Sequence, residues 1–233
     1  MKPLVVLFGG SRGIGRACVE TLSKDGYDVA FTSTSGVQEG EAGRAYACDI
    51  RDAGSVAAVL DKVKQDFGRP VHAVVANAGI NVPPAPLASF PPADFESLVS
   101  VNLIGAFNVL SAAARVVEDG GAIVGLTTSL VRKAVPGVGP YAATKAAVES
   151  LLRSMTMELA SRKIRVNGVA PGPVDTDLFR AGKSEEAVAK SAAMAPLNRV
   201  GRPEEIAAVV SFLISEKSSW INGQIIQPNG GLV

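Results

Sequence analysis

Short apolar runs alternate with segments of helical periodicity along the chain of 233 residues. The apolar runs span residues 4–8, 28–32, 45–48, 71–76, 122–126, 164–169 and 224–227. Apolar residues recur at helical spacing between them, for example over Ala53–Phe67, Ala142–Ala160 and the helix that opens at Pro203. Strands joined through helices form parallel sheets, because each connection must cross one face of the sheet. We therefore predict a single α/β domain over residues 1–233, with a Rossmann-like doubly wound parallel sheet.

Composition removes several classes of function. A formal charge of +1 with 19% charged residues offers no electrostatic basis for binding nucleic acid or an anionic membrane. The two cysteines, Cys18 and Cys48, are expected to be buried thiols in a reducing compartment, with no metal site. The apolar run near the N-terminus is too short for a signal peptide or a membrane span, so we expect a cytoplasmic protein. His72, the only histidine, is predicted to be structural, which argues against a Ser-His-Asp hydrolase.

A glycine-rich loop follows the first predicted strand. Its sequence is Gly9-Gly10-Ser11-Arg12-Gly13-Ile14-Gly15, and helical spacing begins directly after it. Glycines let the backbone approach a phosphate closely, and a helix N-terminus adds free N–H groups and a positive dipole end. The spacing matches neither the strict Gly-x-Gly-x-x-Gly pattern nor a P-loop, so a plain tight turn is the alternative. Its place after the first strand favours phosphate binding.

The end of the second strand bears on the choice of cofactor. NAD-binding folds of this type place an acid there, which accepts hydrogen bonds from the ribose hydroxyls. This chain instead has the small polar run Ser33-Thr34-Ser35-Gly36. Without that carboxylate, Arg12 could bind a 2′-phosphate, with the Thr34 hydroxyl beside it. We therefore predict NADPH rather than NADH.

Tyr141 and Lys145 are four residues apart in a predicted helix, so their side chains lie on one face. A nearby ammonium can lower the pKa of a phenol towards 7, a change of about three units or roughly 4 kcal/mol, and so create a proton donor and acceptor. A core tyrosine beside a surface lysine is the alternative. Ser129 follows a strand end and is placed to meet Tyr141, while Asn102 lies on an apolar helix and must be hydrogen-bonded if buried.

Together these motifs resemble the short-chain dehydrogenase/reductase family over nearly the whole chain, from Val5 to Leu232. The resemblance implies that Tyr141 is the catalytic acid and base and that Lys145 lowers its pKa and binds the nicotinamide ribose. It further implies that Ser129 polarises the substrate carbonyl and that Asn102 supports a water relay. The residues that match the cofactor site of the family are Gly9, Ser11, Arg12, Gly13, Ile14, Gly15, Thr34, Asp49, Ile50, Asn77, Ala78, Gly79, Tyr141, Lys145, Pro171, Gly172, Val174 and Thr176.

The sequence departs from the family pattern at three places. Phe8 stands where threonine is usual, and Ala76 where a first asparagine is frequent; both are positions that support loops. The usual spacing between serine and tyrosine is one residue longer than here and would select Thr128. Members with a Thr-Ser pair before a shorter loop place the serine as Ser129 is placed, so Ser129 is preferred and Thr128 is the alternative.

The resulting prediction is an NADPH-dependent carbonyl reductase of a free ketone or alcohol. A 3-oxoacyl-carrier-protein reductase is the nearest alternative; Arg162 matches one basic docking position, but Glu118-Asp119 occupies the other. A non-catalytic nucleotide sensor is an alternative from another class. Residues 175–199 are predicted to form a helical substrate lid. The apolar helices Phe95–Val116 and Ala142–Ala160 predict a homodimer or homotetramer.

Overall fold

Seven parallel strands form the central sheet of the computed structural model, which describes residues 1–34 and 42–233. Ser35 and Gly36 of the predicted polar run lie outside the described residues. The strand order across the sheet is β3-β2-β1-β4-β5-β6-β7. The strands are β1 Leu4–Phe8, β2 Asp28–Ser33, β3 Arg44–Ala47, β4 Val71–Ala76, β5 Val117–Leu126, β6 Arg165–Val169 and β7 Ile225–Ile226. The predicted Rossmann-like doubly wound sheet is confirmed.

Helices cover both faces of the sheet. They are α1 Gly13–Lys24, α2 Ala53–Phe67, α3 Pro92–Leu98, α4 Ala106–Val116, α5 Gly139–Glu158, α6 Asp177–Arg180, α7 Glu185–Ala193 and α8 Pro203–Ile214. One core layer lies between the sheet and α2, α4 and α5, and the other lies beneath α1 and α8. Because both faces are covered, central strands such as β1 are buried along their whole length and read as continuous apolar runs.

One long helical segment changes its geometry in the middle. The run Phe95–Val116 was predicted as a single helix, but Val99–Gly105 forms a π-helix between α3 and α4. A π-helical turn adds a residue to each hydrogen-bonded turn and often occurs at functional sites. Here it carries Asn102, whose side chain is completely buried. The interruption therefore places a polar amide inside a helix that is otherwise apolar.

The order of the strands sets the position of a crevice. The chain runs outward from β1 to β3, and then crosses the sheet to β4 on the other side of β1. Ligands of open α/β sheets bind at this kind of reversal, beyond the carboxyl ends of the strands. The glycine loop after β1 and the Asn77-Ala78-Gly79 turn after β4 lie side by side at this edge, since the amides of Asn77 and Ala78 both donate to the Phe8 carbonyl.

Candidate active site

The glycine loop packs closely against the turn after β4. Gly9 has a φ of +89°, and a Cβ atom added to it would lie 2.7 Å from the Cα atom of Ala78. A Cβ atom on Gly15 would lie 1.9 Å from the Gly9 carbonyl oxygen. The Asn77 side chain donates to that same carbonyl over 2.7 Å. Only glycine fits at these two positions, and the close packing leaves the start of α1 open towards the crevice.

A cavity of about 740 Å³ occupies this crevice. Its volume and elongated wall suit a dinucleotide, because free N–H groups at the start of α1 can bind phosphate oxygens. Thirteen of the predicted cofactor residues line it: Gly9, Ser11, Arg12, Gly13, Ile14, Gly15, Thr34, Asp49, Ile50, Asn77, Ala78, Gly79 and Thr176. The donors present therefore fit a nicotinamide dinucleotide.

Charged side chains line the part of the cavity beside the glycine loop and the end of β2. Arg12 is exposed on the glycine loop, and Ser33 and Thr34 line the wall at the end of β2, where an acid was absent from the sequence. Asp49 is the nearby carboxylate, but it is neutralised by Arg51, with 2.6 Å between Arg51 Nη2 and Asp49 Oδ2. This pairing holds the pKa of Asp49 below its usual range. Asp49 and Arg51 thus neutralise each other, and of the two guanidinium groups on this part of the described wall that of Arg12 lies outside the pair.

Tyr141 and Lys145 lie in the first two turns of α5. Burial raises the pKa of Tyr141 to about 12, and a hydrogen bond with Thr128 acts in the opposite direction. The predicted lowering of this pKa towards 7 by Lys145 is not seen, because loss of hydration dominates. Lys145 donates instead to the Leu126 carbonyl over 3.0 Å, and burial lowers its own pKa to about 8. At neutral pH the phenol is therefore protonated and can donate a proton.

Asn102 and Lys145 converge on the turn after β4. A Cβ atom added to Gly79 would lie 3.1 Å from Asn102 Oδ1 and 3.3 Å from Lys145 Nζ. Asn102 Oδ1 accepts from the Ile80 amide over 2.8 Å, and its Nδ2 donates to the Ile80 carbonyl over 2.9 Å. The buried amide is thus fully used to hold this turn beside the ammonium.

The hydroxyls of Thr128 and Ser129 have different surroundings. The Thr128 hydroxyl lies near enough to Tyr141 to act on the pKa of the phenol, which it lowers. Ser129 is completely buried; its hydroxyl donates to the Ala170 carbonyl over 2.8 Å and accepts from Asn229 Nδ2 over 3.1 Å. A serine hydroxyl has one proton, and that of Ser129 is already used. The structure therefore brings Thr128, the alternative left open by the spacing, to the tyrosine, and turns the Ser129 hydroxyl away towards β6.

The segment after β6 continues this edge towards the predicted lid. Five of the eighteen predicted cofactor residues are not part of the wall of the large cavity: Tyr141, Lys145, Pro171, Gly172 and Val174. Thr176 is part of it. Thr176 also caps α6, accepting from the Phe179 amide over 3.1 Å. The predicted nicotinamide-side residues run from Pro171 to Thr176. Pro171 lies next to the Thr128–Ser129 turn, because its carbonyl accepts from the Ser129 amide. Thr176 lies in the cavity wall.

Ten of the described residues that line the cavity were not among the predicted cofactor residues, Arg51 being one of them, and Asn229, outside the cavity wall, was not predicted either. Arg51 lies two positions after Asp49, in the turn that follows β3. This closeness to Asp49 in the sequence was the only indication that Arg51 belongs to the site. Asn229 comes from the C-terminal segment, 100 residues away from its partner Ser129. Nothing in the sequence indicates such a contact, because it depends on β7 lying next to β6 in the sheet.

Gly79 in the wall of a dinucleotide-sized cavity lies beside the buried Lys145 and Asn102, and Tyr141 lies one turn before Lys145 on α5; this arrangement defines an oxidoreductase on a Rossmann-like fold. The family model described as Enoyl-(Acyl carrier protein) reductase matches residues 9–233. A short-chain type dehydrogenase/reductase of Picea abies is 37% identical over 250 residues, covering 99% of this chain and 92% of that protein. A protein of Arabidopsis thaliana, named NADPH-dependent aldehyde reductase-like protein, chloroplastic, is 36% identical over 253 residues, covering 99% and 94%.

Solved structures agree with this assignment. The ligand-free aldohexose dehydrogenase of Thermoplasma acidophilum superposes with a TM-score of 0.91 at 27% identity, covering 99% of this chain and 94% of that one. The chain belongs to the short-chain dehydrogenase/reductase family, as its motifs predicted, and is an oxidoreductase of carbonyl and alcohol groups.

Proposed function

We propose that the protein is an NADPH-dependent carbonyl reductase that acts on a small ketone or aldehyde. The observation that carries this proposal is that Lys145 and Asn102 converge on Gly79 in the cavity wall, with Tyr141 one turn earlier on α5 and near the Thr128 hydroxyl. When bound, the reduced nicotinamide supplies a hydride, and so two electrons, to the carbonyl carbon. Tyr141 gives its proton to the carbonyl oxygen, so that the carbonyl becomes an alcohol.

Each side chain has a separate part in this step. Thr128 and Tyr141 donate hydrogen bonds to the oxygen, where negative charge develops during the reaction. Lys145 keeps a positive charge at neutral pH beside Gly79, and Asn102 holds that turn through the amide and carbonyl of Ile80. We assign the polarising hydroxyl to Thr128 rather than to Ser129, because the only hydroxyl proton of Ser129 is directed to Ala170.

The preference for NADPH is supported by the charges beside the glycine loop and the end of β2. Arg12 can attract a 2′-phosphate, while Asp49 and Arg51 neutralise each other and Ser33 and Thr34 carry no charge. A hydrogen bond to a charged group contributes about 1.5–3 kcal/mol, or roughly ten- to a hundredfold in affinity. The name of the Arabidopsis relative contains the same cofactor.

Reduction of an acyl group on a carrier protein is the second candidate, favoured by the description of the family model. An acidic carrier needs free cations beside the site. Arg162 is bound instead to Asp119 over 2.7 Å and to the carbonyls of Ala114 and Val117. Its charge is largely neutralised within the chain, which supports a free substrate.

The test is a panel of ketones, aldehydes and one 3-oxoacyl thioester, incubated with NADPH while cofactor consumption is followed. We expect turnover of at least one free carbonyl compound, and its loss in Tyr141→Phe with NADPH binding retained. Turnover of the thioester alone would support the carrier-bound substrate. Tight NADPH binding without turnover of any compound would support the non-catalytic sensor.

A further inference from the structure

Asn229 joins the C-terminal segment to the turn that contains Thr128 and Ser129. Its Nδ2 atom donates to Ser129 Oγ over 3.1 Å. Its Oδ1 atom accepts from the amides of Gly231 and Leu232 over 2.9 and 3.0 Å. The side chain therefore uses its donor towards the site and its acceptor towards the last residues of the chain.

The same residue packs against the segment after β6. A Cβ atom added to Gly172 would lie 2.9 Å from the Asn229 Cβ atom, and the Gly172 amide donates to the Pro228 carbonyl over 3.2 Å. Ser129 reaches this segment as well, through the carbonyls of Ala170 and Pro171. Hydrogen bonds of Ser129 thus connect the three segments that follow β5, β6 and β7.

Thr128 is the residue that this arrangement would control. It directly precedes Ser129, and its hydroxyl accepts from the Leu130 amide over 3.3 Å and lies near the phenol of Tyr141. A threonine on a turn keeps one orientation only if the backbone on either side is held. The hydrogen bonds of Ser129 to the segments after β6 and β7 hold the backbone on the C-terminal side of Thr128.

We propose that Asn229, acting through Ser129, is a positioning residue that holds the Thr128 hydroxyl on Tyr141. This inference rests on the proposed carbonyl reduction. Asn229 touches no reacting atom, so its effect must pass through Ser129 and Thr128. A small displacement of a donor from the oxygen can reduce the rate strongly, because stabilisation of the developing charge depends on fixed geometry.

The variant Asn229→Asp separates the two contacts of the side chain. A carboxylate still accepts from Gly231 and Leu232, but it cannot donate to Ser129. We expect kcat to fall about tenfold, which corresponds to about 1.4 kcal/mol, with a much smaller change in KM. The matched control is Asn222→Asp at the other end of β7, where the asparagine oxygen accepts from the Val166 amide and the aspartate can do the same. That control should leave kcat unchanged.

Double variants test whether the effect passes through Ser129. If it does, Asn229→Asp should lower kcat no further once Ser129→Ala or Thr128→Val is present. A purely structural role predicts a lower Tm with kcat unchanged at temperatures where the variant is folded. An unchanged kcat in Asn229→Asp, or losses that multiply in the double variants, would overturn the proposal while leaving carbonyl reduction intact.

A second readout does not require turnover. The chain has three tyrosines, so the ¹³Cζ NMR signal of Tyr141 can be assigned by its loss in Tyr141→Phe. We expect Asn229→Asp and Thr128→Val to displace this signal in the same direction, and Asn222→Asp to leave it in place. An unmoved signal in Asn229→Asp would overturn the proposal, whatever the result of the ketone panel.

Discussion

Loss of hydration controls the protonation of Tyr141. A phenol in water has a pKa near 10, and burial raises that of Tyr141 to about 12. Such a residue is almost entirely protonated at neutral pH and is a ready donor in the direction of reduction. In the reverse direction it would have to lose this proton first. Reduction uses the protonated phenol, and this is the form in which Tyr141 rests at neutral pH.

Thr128 and Ser129 can be distinguished by substitution. Thr128→Val removes the hydroxyl but keeps the branched shape, and we expect kcat to fall by about 10²–10³, the usual effect of losing a donor to a developing oxyanion. Thr128→Ser keeps the hydroxyl and should retain most of the rate. Ser129→Ala should lower kcat only about tenfold, because it removes an anchor. A larger loss in Ser129→Ala than in Thr128→Val would return the polarising role to Ser129.

The cofactor preference can be reversed at the end of β2. We expect kcat/KM with NADPH to exceed that with NADH by at least about tenfold, from one charge-assisted contact to the 2′-phosphate. Ser33→Asp should abolish or reverse this preference, because a carboxylate accepts both ribose hydroxyls and repels the phosphate. Steady-state rates with each cofactor provide the measurement. Equal efficiency in the unmodified protein would show that Arg12 does not select the cofactor.

Positions in this site were predictable from the sequence, but their energetics were not. The glycine loop, Asn77, Asn102, Tyr141 and Lys145 all stand at strand ends or on helix faces that periodicity locates. The pKa of Tyr141 depends on how completely the side chain loses water, which is a property of the folded chain. The Ser129 hydroxyl proton is taken up by the Ala170 carbonyl after β6, and this partner is 41 residues away in the sequence.

At the scale of elements, α8 begins at a cluster of charged residues. Glu205 accepts from Arg199 over 2.7 and 2.8 Å and from the Arg202 amide over 2.7 Å. These bonds, with Arg199 first, lower its pKa to about 2. Arg199 ends the segment predicted as a lid, and the Val174–Gly201 bridge lies beside the cluster. Glu205 therefore connects the lid segment to the first turn of α8.

The stability contributed by Glu205 should depend on pH. Its folded-state pKa lies below the ordinary value of 4.5, so its contribution is complete above pH 4.5 and is lost as the pH falls towards 2. We expect Glu205→Gln to lower Tm by roughly 2–4 °C at neutral pH, from about 1 kcal/mol. The difference should shrink through that pH interval. Exposed Glu204→Gln is the control, and a difference between Glu205→Gln and the unmodified protein that persists at pH 2 would contradict this explanation.

Periodicity in the sequence predicted where the helices and strands lie, but it did not predict irregular geometry within them. The strand ends were predicted within a few residues, except that β5 begins at Val117 rather than Ala122. The π-helical turn at Val99–Gly105 was not predictable, because its sequence is an ordinary apolar helix. Two contacts across the fold accompany it: Gly105 packs against Ile50, and Asn102 binds Ile80.

At the scale of the whole molecule, the segment Pro92–Val116 is more apolar than its burial requires. It has 25 residues, and 44% of its most apolar 18-residue stretch is buried. By length and composition alone such a helix could cross a membrane, but one face packs in the core and carries Asn102. Phe95, Ile104 and Phe107 are 46, 48 and 52% exposed. We propose that a second copy of the chain covers them, since identical apolar faces pair about a two-fold axis.

Self-association can be measured by light scattering. We expect a mass of two or four times 23.9 kDa at micromolar concentration. Phe107→Glu should shift the mass towards the monomer, because it places a charge on the apolar face. Lys64→Glu, an exposed change of charge on α2, should not. A monomeric mass for the unmodified protein would contradict the proposed pairing.

Transfer of deuterium tests the central claim most directly. NADPH deuterated at both C4 positions of its nicotinamide ring is incubated with the protein and a carbonyl compound from the panel, and the alcohol is examined by mass spectrometry and NMR. The account predicts one deuterium on the former carbonyl carbon, formed by the unmodified protein and lost in Tyr141→Phe. An alcohol without deuterium at that carbon, or equal labelling by Tyr141→Phe, would contradict it.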